Sequence, residues 1–337
     1  MGQTVENSPV PMLLLTERDV RALLPMPDLI AAMERALAAF SAGEVTQPVR
    51  TVLEIGADRA YFGVMPAALD RSAVVGAKLV TVYERNHARG LPSHLATILL
   101  LDHETGAPKA LLDGRYITEA RTAAVSAVSV KRLARDEARV LGIIGSGVQA
   151  RSHLEAIRHV RQLDDVRVWS PSVEHRDRAA AQMRESTRLA VRAVATAREA
   201  ARGANVVVLA TSSKTPVVAS EDIADGAHVV GVGACRPDQR EMPTDLIVRA
   251  RVFVDSRTGA LAESGDLLIP IREGAITDAH IAGELGSLVA GQAAGRSSAS
   301  QVTVFKSLGM AVEDLVAAEL TVERARAAGR GQQVSLI

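Results

Sequence analysis

Cysteine is almost absent. The single thiol, Cys235, cannot close an intrachain disulfide, which fits a reducing compartment. Neither sign of charge is in excess, since Lys+Arg and Asp+Glu both number 39, so neither nucleic acid nor an acidic membrane is expected as the main partner. No apolar run approaches the ~18 residues that a membrane span needs, and the N-terminus lacks the basic region and apolar core of a signal peptide. A cytoplasmic protein is expected. No His or Cys spacing suggests a metal, no nucleophile elbow or triad is found, and no internal repeat or low-complexity linker interrupts the chain.

What is present is apolar patterning, at 47% hydrophobic residues over 337 positions, enough for two domains with sizeable cores. The organising stretch begins at Arg139. Val140 to Ile144 reads as a buried strand, after which Gly145, Gly147 and Ala150 supply G-x-G-x-x-A where a helix from Val148 to about His159 begins. The first glycine permits a tight turn, the second lets backbone approach a pyrophosphate, and the alanine lets helix pack on strand. A pyrophosphate would sit on the free N–H groups of that helix start, over Ser146 to Gln149. A second strand, Val166 to Trp169, follows after one helix and gives the turn its dinucleotide-binding context.

Met1 to Val10 is polar and expected to be loose. Thr16 with Asp19 signals the start of a short helix ending near Pro25, and a second helix runs from Asp28 to a stop at Gly43. Strand-like segments near Val49 to Ile55, Tyr61 to Met65, Val74 to Tyr83 and Leu95 to Asp102 follow without a long helix between them, predicting a mostly antiparallel α+β unit. From Thr118 to Leu133 the pattern is helical, with Thr118 as expected N-cap and Arg121 and Thr122 in an anion-favouring first turn. Beyond the glycine turn, Val191 to Val194, Val206 to Ala210, His228 to Gly233 and Val252 to Asp255 bring the expected strands of a doubly wound sheet to six. Ligands lie beyond the carboxyl ends of such strands, which makes Thr211, Ser212, Gly233 and Cys235 candidate neighbours of cofactor or substrate. A final amphipathic helix is expected over Phe305 to Glu319.

Read together, Lys78 to Tyr83, Pro92-Ser93-His94, Ile117 to Ala124, Gly145 to Ala150, Arg236-Pro237-Asp238, Glu263 to Asp266 and Val304 to Gly309 resemble the ornithine cyclodeaminase/mu-crystallin family, most closely its ketimine reductase branch. The resemblance spans nearly the whole chain, in order. It implies a Rossmann doubly wound parallel sheet plus a discontinuous α+β substrate-binding and dimerisation domain. The expected boundaries are 1–121 with 310–337 for the latter and 122–309 for the dinucleotide-binding domain. It also implies a homodimer acting on a small imino or amino acid with a nicotinamide nucleotide. Arg50 and Arg121 match positions that bind the substrate carboxylate, a group an arginine fork holds through two parallel bonds. Thr122 matches a contact to a cofactor phosphate, and Leu308 falls in the last cofactor-side motif. Lys78 matches the active-site lysine, which can orient the imino acid or exchange a proton with it. His94 and Glu84 lie close in sequence.

Two departures carry information. Cyclodeaminases of the family have an aspartate where this chain has Cys235, and a neutral side chain cannot hold a distal ammonium as a carboxylate would. No acid follows the second strand to bind a ribose 2′-hydroxyl: Trp169 precedes Ser170-Pro171-Ser172, which with Arg176 favours the 2′-phosphate of NADPH, NADH being the alternative. The expectation is NADPH-dependent reduction of a cyclic ketimine carboxylate. Ornithine cyclodeamination, an alanine-dehydrogenase-like reaction and a non-enzymatic, crystallin-like binding role are the alternatives.

Overall fold

The computed structural model describes residues 10–56 and 60–335, so most of the N-terminal segment expected to be loose lies outside the described residues. In chain order, β1 (Pro11–Leu15), α1 (Glu17–Leu23) and α2 (Met26–Ser41) precede β2 (Val45–Thr46), β3 (Thr51–Ile55), β4 (Ala60–Leu69), β5 (Val74–Val82), β6 (His94–Leu101), β7 (Pro108–Asp113) and α3 (Arg115–Leu133). There follow β8 (Val140–Ile144), α4 (Val148–Ile157), β9 (Asp165–Trp169), α5 (Val173–Thr187), β10 (Val191–Ala193), α6 (Ala197–Ala201), β11 (Val206–Leu209), β12 (His228–Gly231) and α7 (Thr244–Arg249). The chain ends with β13 (Arg251–Val254), α8 (Arg257–Glu263), α9 (Gly265–Arg272), β14 (Ile281–Glu284), α10 (Leu285–Val289), β15 (Thr303–Lys306), α11 (Ala311–Ala327) and β16 (Gln332–Ser335).

These elements form two compact units. Unit 1 takes the described residues up to Ala32, Gly43–Arg121 and those from Ala311 onward, and unit 2 takes Met33–Ala42 and Thr122–Met310. Residues 33–42, expected within the first domain, therefore group with the second. Gly286 shows the closeness of that packing within unit 2, since a Cβ there would lie 1.9 Å from the Leu37 carbonyl oxygen.

Unit 1 is built on a sheet in the order β16-β1-β7-β6-β5-β4-β2, with β3 also paired to β4. All pairs are antiparallel except β1 with β7. The alternation of buried and accessible residues along β4 and β5 gives the sheet a dry face, against which α11 packs. The sequence reading missed β1, β7 and β16, short strands whose apolar content does not separate them from loop by periodicity alone. The helix start at Thr16 is a capping box with Asp19, as its spacing predicts.

Unit 2 is an all-parallel sheet of 8 strands in the order β10-β9-β8-β11-β12-β15-β13-β14. The chain runs outward from β8 through β9 to β10, then returns to the other side of β8 as β11. That reversal creates a crevice at the carboxyl ends of β8 and β11, where ligands of such sheets bind. Val207, Leu209, Val229, Val252, Val254 and Val304 are among the fully buried residues of the core on which the sheet closes.

Three expectations change. The sheet has eight strands instead of six, through β14 and β15. The last helix begins at Ala311, because Thr303–Lys306 is a fully buried strand between β12 and β13. Phe305, Leu308, Val312 and Leu315 keep helical spacing across that break, but Gly309, at φ 83°, ends the regularity. The connecting helix begins at Arg115, so Thr118 is not its N-cap: Asp113 Oδ2 accepts the Tyr116 N–H, and Thr118 Oγ1 donates to the Gly114 carbonyl at 2.7 Å. Arg121 and Thr122 consequently lie in the second turn. Among the described residues no helix is long and apolar enough to cross a membrane.

Candidate active site

Period-2 geometry puts Lys78 on the dry face of unit 1. It lies in register with Met65 of β4 and Ile98 of β6, and α11 covers that face. The first turn of α11 brings Glu313 and Asp314 to it. Lys78 Nζ is 2.5 Å from Asp314 Oδ2 and donates to Thr118 Oγ1 at 3.4 Å. Arg121 donates from Nε to Asp314 Oδ1 at 2.9 Å and from Nη1 to Glu313 Oε2 at 2.6 Å. All four charged side chains are buried, Lys78 at 2% and Arg121 at 3% exposure.

Arg50 immediately precedes β3 and is half-buried. Its segment is fixed by Gln47, whose Oε1 accepts the Val312 N–H at the start of α11 at 3.0 Å. Burial pushes the Lys78 ammonium down to about 8 against the pull of Asp314, and the charges of Arg121 and Arg50 act in the same direction as burial. Burial pushes the Asp314 carboxyl up, but Arg121 and Lys78 outweigh it and hold the group below the ordinary carboxylate range. His94 shares the sheet face of Lys78 through its pairing with Val82; burial, then Lys78, pushes it down to about 4, so it is neutral at neutral pH. Arg50, Lys78 and Arg121 thus converge with His94. Asp314, Glu313 and Gln47 were missed, although an acid pair between Val312 and Leu315 in an apolar helix is a signal of charge on a buried face.

In unit 2 the glycine turn has the geometry its spacing predicts. Gly145 has φ 126°, and a Cβ on it would lie 2.3 Å from the Ala210 carbonyl oxygen, so only glycine fits between the ends of β8 and β11. A Cβ on Gly147 would meet nothing within 4 Å, leaving the turn open to approach. No side chain caps α4, so its first-turn amides, at Val148, Gln149 and Ala150, are left without a side-chain acceptor there. Gln149 Oε1 is buried with no hydrogen-bond partner among the described residues. These features fit a dinucleotide pyrophosphate and a hydroxyl donor beside it.

The other expected cofactor neighbours divide. Thr211 and Gly233, at the ends of β11 and β12, are brought together by Glu241, while Ser146 and Ser212 flank the crevice in sequence. Ser170 Oγ donates to the Ser172 carbonyl, and Ser172 Oγ accepts the His175 N–H as the N-cap of α5. Arg176 Nη1 donates to the Ala195 carbonyl at 3.1 Å, as does the Trp169 indole, so the arginine is anchored at the end of β9. The Leu308 amide is taken by Asp255 at 2.6 Å. Thr122 is buried within α3, and Cys235 is exposed with Sγ 3.4 Å from the Val232 carbonyl oxygen.

Comparison with known proteins shows what the chain as a whole is similar to. The chain is 42% identical over 298 residues to the ketimine reductase mu-crystallin of Rattus norvegicus, covering 88% of this chain and 91% of the relative. Its structure is similar to that of the Thermococcus litoralis Δ1-pyrroline-2-carboxylate reductase in complex with NADH and L-proline, with TM-score 0.94, 38% identity and coverage of 96% and 100% of the two chains. An archaeal alanine dehydrogenase dimer with bound NAD matches with TM-score 0.92 at 29% identity, over 97% of this chain and 100% of the other. The model of the ornithine cyclodeaminase/mu-crystallin family matches residues 10–329, and the chain belongs to that family.

Proposed function

We propose that this chain reduces a cyclic ketimine carboxylate, such as Δ1-pyrroline-2-carboxylate or Δ1-piperideine-2-carboxylate, to the L-amino acid, with NADPH preferred over NADH. The observation that carries the reading is the Lys78–Asp314–Arg121 cluster beside Arg50: a buried ammonium with its pKa at about 8, among arginines suited to a carboxylate. Unit 1 is the substrate-binding and dimerisation domain, and unit 2 the dinucleotide-binding domain. The complex of the Thermococcus litoralis reductase with NADH and L-proline supports a small cyclic substrate and a nicotinamide cofactor.

The residues act as follows. Arg50 and Arg121 fix the substrate carboxylate, which sets the orientation of the C=N bond. Asp314, bonded to both Lys78 and Arg121, holds the ammonium in place relative to that clamp. A nicotinamide dinucleotide, when held by unit 2, would supply the hydride for reduction of the C=N bond. Lys78 gives a proton to the imine nitrogen as it becomes an amine, so that one hydride and one proton complete the reduction. Neutral His94 adds no competing charge. In unit 2 the amides after Gly147 and the buried Gln149 oxygen would hold the pyrophosphate and a ribose hydroxyl. Ser170, Ser172 and Arg176, with no acid among them, support the 2′-phosphate. Cys235 leaves an ornithine side chain without its carboxylate partner, so cyclodeamination is negligible.

A panel of both ketimines with NADPH and NADH tests this, read as loss of reduced-nucleotide absorbance, with ornithine plus NAD in parallel. Ornithine converted to proline without NADPH oxidation by either ketimine would overturn the assignment, and faster turnover with NADH would overturn the cofactor preference alone. Gain of ornithine turnover in Cys235→Asp would support the role given to that position.

A further inference from the structure

The crevice between β8 and β11 is bounded by the backbone segments following β11 and β12, which bond to the neighbouring strand at Ala210 (to the Ile144 carbonyl) and at Val232 (to the Leu209 carbonyl) and leave the ladder from Thr211 and Gly233 onward. Both are held by one side chain. Glu241, which is 0% exposed, accepts the Thr211 N–H and the Thr211 hydroxyl at its Oε1, each at 2.8 Å. Its Oε2 accepts the Gly233 N–H at 2.6 Å and the Ala234 N–H at 3.2 Å. The segments touch so closely that a Cβ on Gly233 would lie 2.1 Å from the Thr211 carbonyl oxygen and 2.6 Å from Glu241 Oε1. A second tier fixes Glu241 itself. Asp266 Oδ1 accepts the amides of Glu241 and Met242 at 2.8 and 2.9 Å, and its Oδ2 is 3.1 Å from Lys306 Nζ. Lys306 in turn donates to the Ala234 carbonyl at 2.5 Å. Three fully buried ionisable side chains therefore serve two loop segments at the mouth of a ligand crevice.

We infer that Glu241 is a positioning residue for the dinucleotide: through the amides of Thr211, Gly233 and Ala234 it sets the spacing of the backbone that lines the cofactor crevice. This rests on the reading of unit 2 as a nicotinamide-dinucleotide domain and adds to it a residue that does not touch the cofactor. A buried carboxylate that spends its lone pairs on the amides of adjacent strand ends makes their separation a fixed length, because releasing any one amide leaves a buried donor unpaired. Packing alone could stabilise those strands; a shared acceptor also fixes their register at the ends, where ligand geometry is decided.

Glu241→Gln keeps the size of the side chain but replaces one acceptor oxygen with an N–H donor that faces backbone donors. With the single tryptophan, Trp169, at the end of β9 as fluorescent reporter, the Kd for NADPH and for NADH should rise by about tenfold or more in this variant. The KM for ketimine at saturating dinucleotide should stay within about twofold of wild type, a separation that general destabilisation does not produce. A lowered Tm with unchanged dinucleotide Kd would show a merely structural role and overturn the inference. Should Glu241→Gln not fold, hydrogen exchange of the wild-type chain decides: amides in 209–213 and 231–236 should slow together on adding NADPH or NADH, and a lack of response in either segment overturns the inference. Wild-type protein that binds neither nucleotide overturns the reading of unit 2, and this inference with it.

Discussion

At the scale of single residues, the chemistry of the site depends on how far burial moves the Lys78 ammonium. With its pKa lowered to about 8, Lys78 is protonated at neutral pH and loses its proton as pH rises through that value. A step that needs the ammonium as proton donor is therefore complete below about 8, and kcat/KM for ketimine reduction should fall about tenfold per pH unit above it. Lys78→Arg should remove this limb from the pH profile of whatever activity it retains; an unchanged limb would assign the titration to another group. Arg50→Ala tests the carboxylate clamp. It should cost on the order of 2–5 kcal/mol of transition-state binding, read from kcat/KM, with little change in Tm. Wild-type kcat/KM in that variant would remove Arg50 from the site.

At the scale of elements, α3 is tied into unit 2 by two buried histidines. His153 of α4 meets Ser126 Oγ at 2.9 Å, and His228 of β12 meets Ser129 Oγ at 3.1 Å and Thr303 Oγ1 of β15 at 2.9 Å. Burial, the dominant cause in both, pushes His153 down to about 4 and His228 down to about 3, so both are neutral in the folded chain. The unfolded chain, with histidines near 6.5, takes up these protons first. Their contribution to stability is thus fully present above about 6.5 and is lost as pH falls toward about 4 and then about 3, a change on the order of a few kcal/mol. Thermal unfolding followed over that range should show Tm falling with pH, with a shallower slope in His153→Gln. Equal slopes would mean that His153 does not contribute to the pH dependence.

At the scale of the whole molecule, the sheet of unit 1 leaves apolar residues exposed on the face opposite Lys78. The pairing registers put Leu53 and Ile55 of β3, Leu79 of β5 and Leu95 of β6 on one face, at 56%, 40%, 39% and 42% exposure. A contiguous apolar surface of this kind is normally covered. The proposed cover is a second copy of the chain, a reading supported by the dimeric state of the similar archaeal alanine dehydrogenase. Light scattering should give twice the chain mass of 35.6 kDa, and Leu53→Glu should shift the mass toward the monomer. A wild-type monomer at micromolar concentration would rule the dimer out.

Several features of this protein follow from the sequence by itself because their causes are local. Gly145 is needed where φ is 126°, Thr16 and Asp19 close a capping box within one turn, and the alternation along β5 puts Lys78 on the dry face of its strand. The dinucleotide turn, the parallel class of the second sheet and the charge in an apolar strand were all legible on those grounds. What the tertiary structure decided is which distant groups meet. Asp314 pairs with Arg121 across 193 residues of sequence, and Glu241 reaches the amides of two strands that nothing in its own stretch announces. Thr303–Lys306 continues a helical spacing yet becomes a strand, because the place between β12 and β13 can be filled only by a chain whose backbone pairs on both sides. Periodicity records which face of an element is apolar, but the partner of a buried charge is set by the packing of elements far apart in the chain, where desolvation makes an unpaired charge too costly to keep.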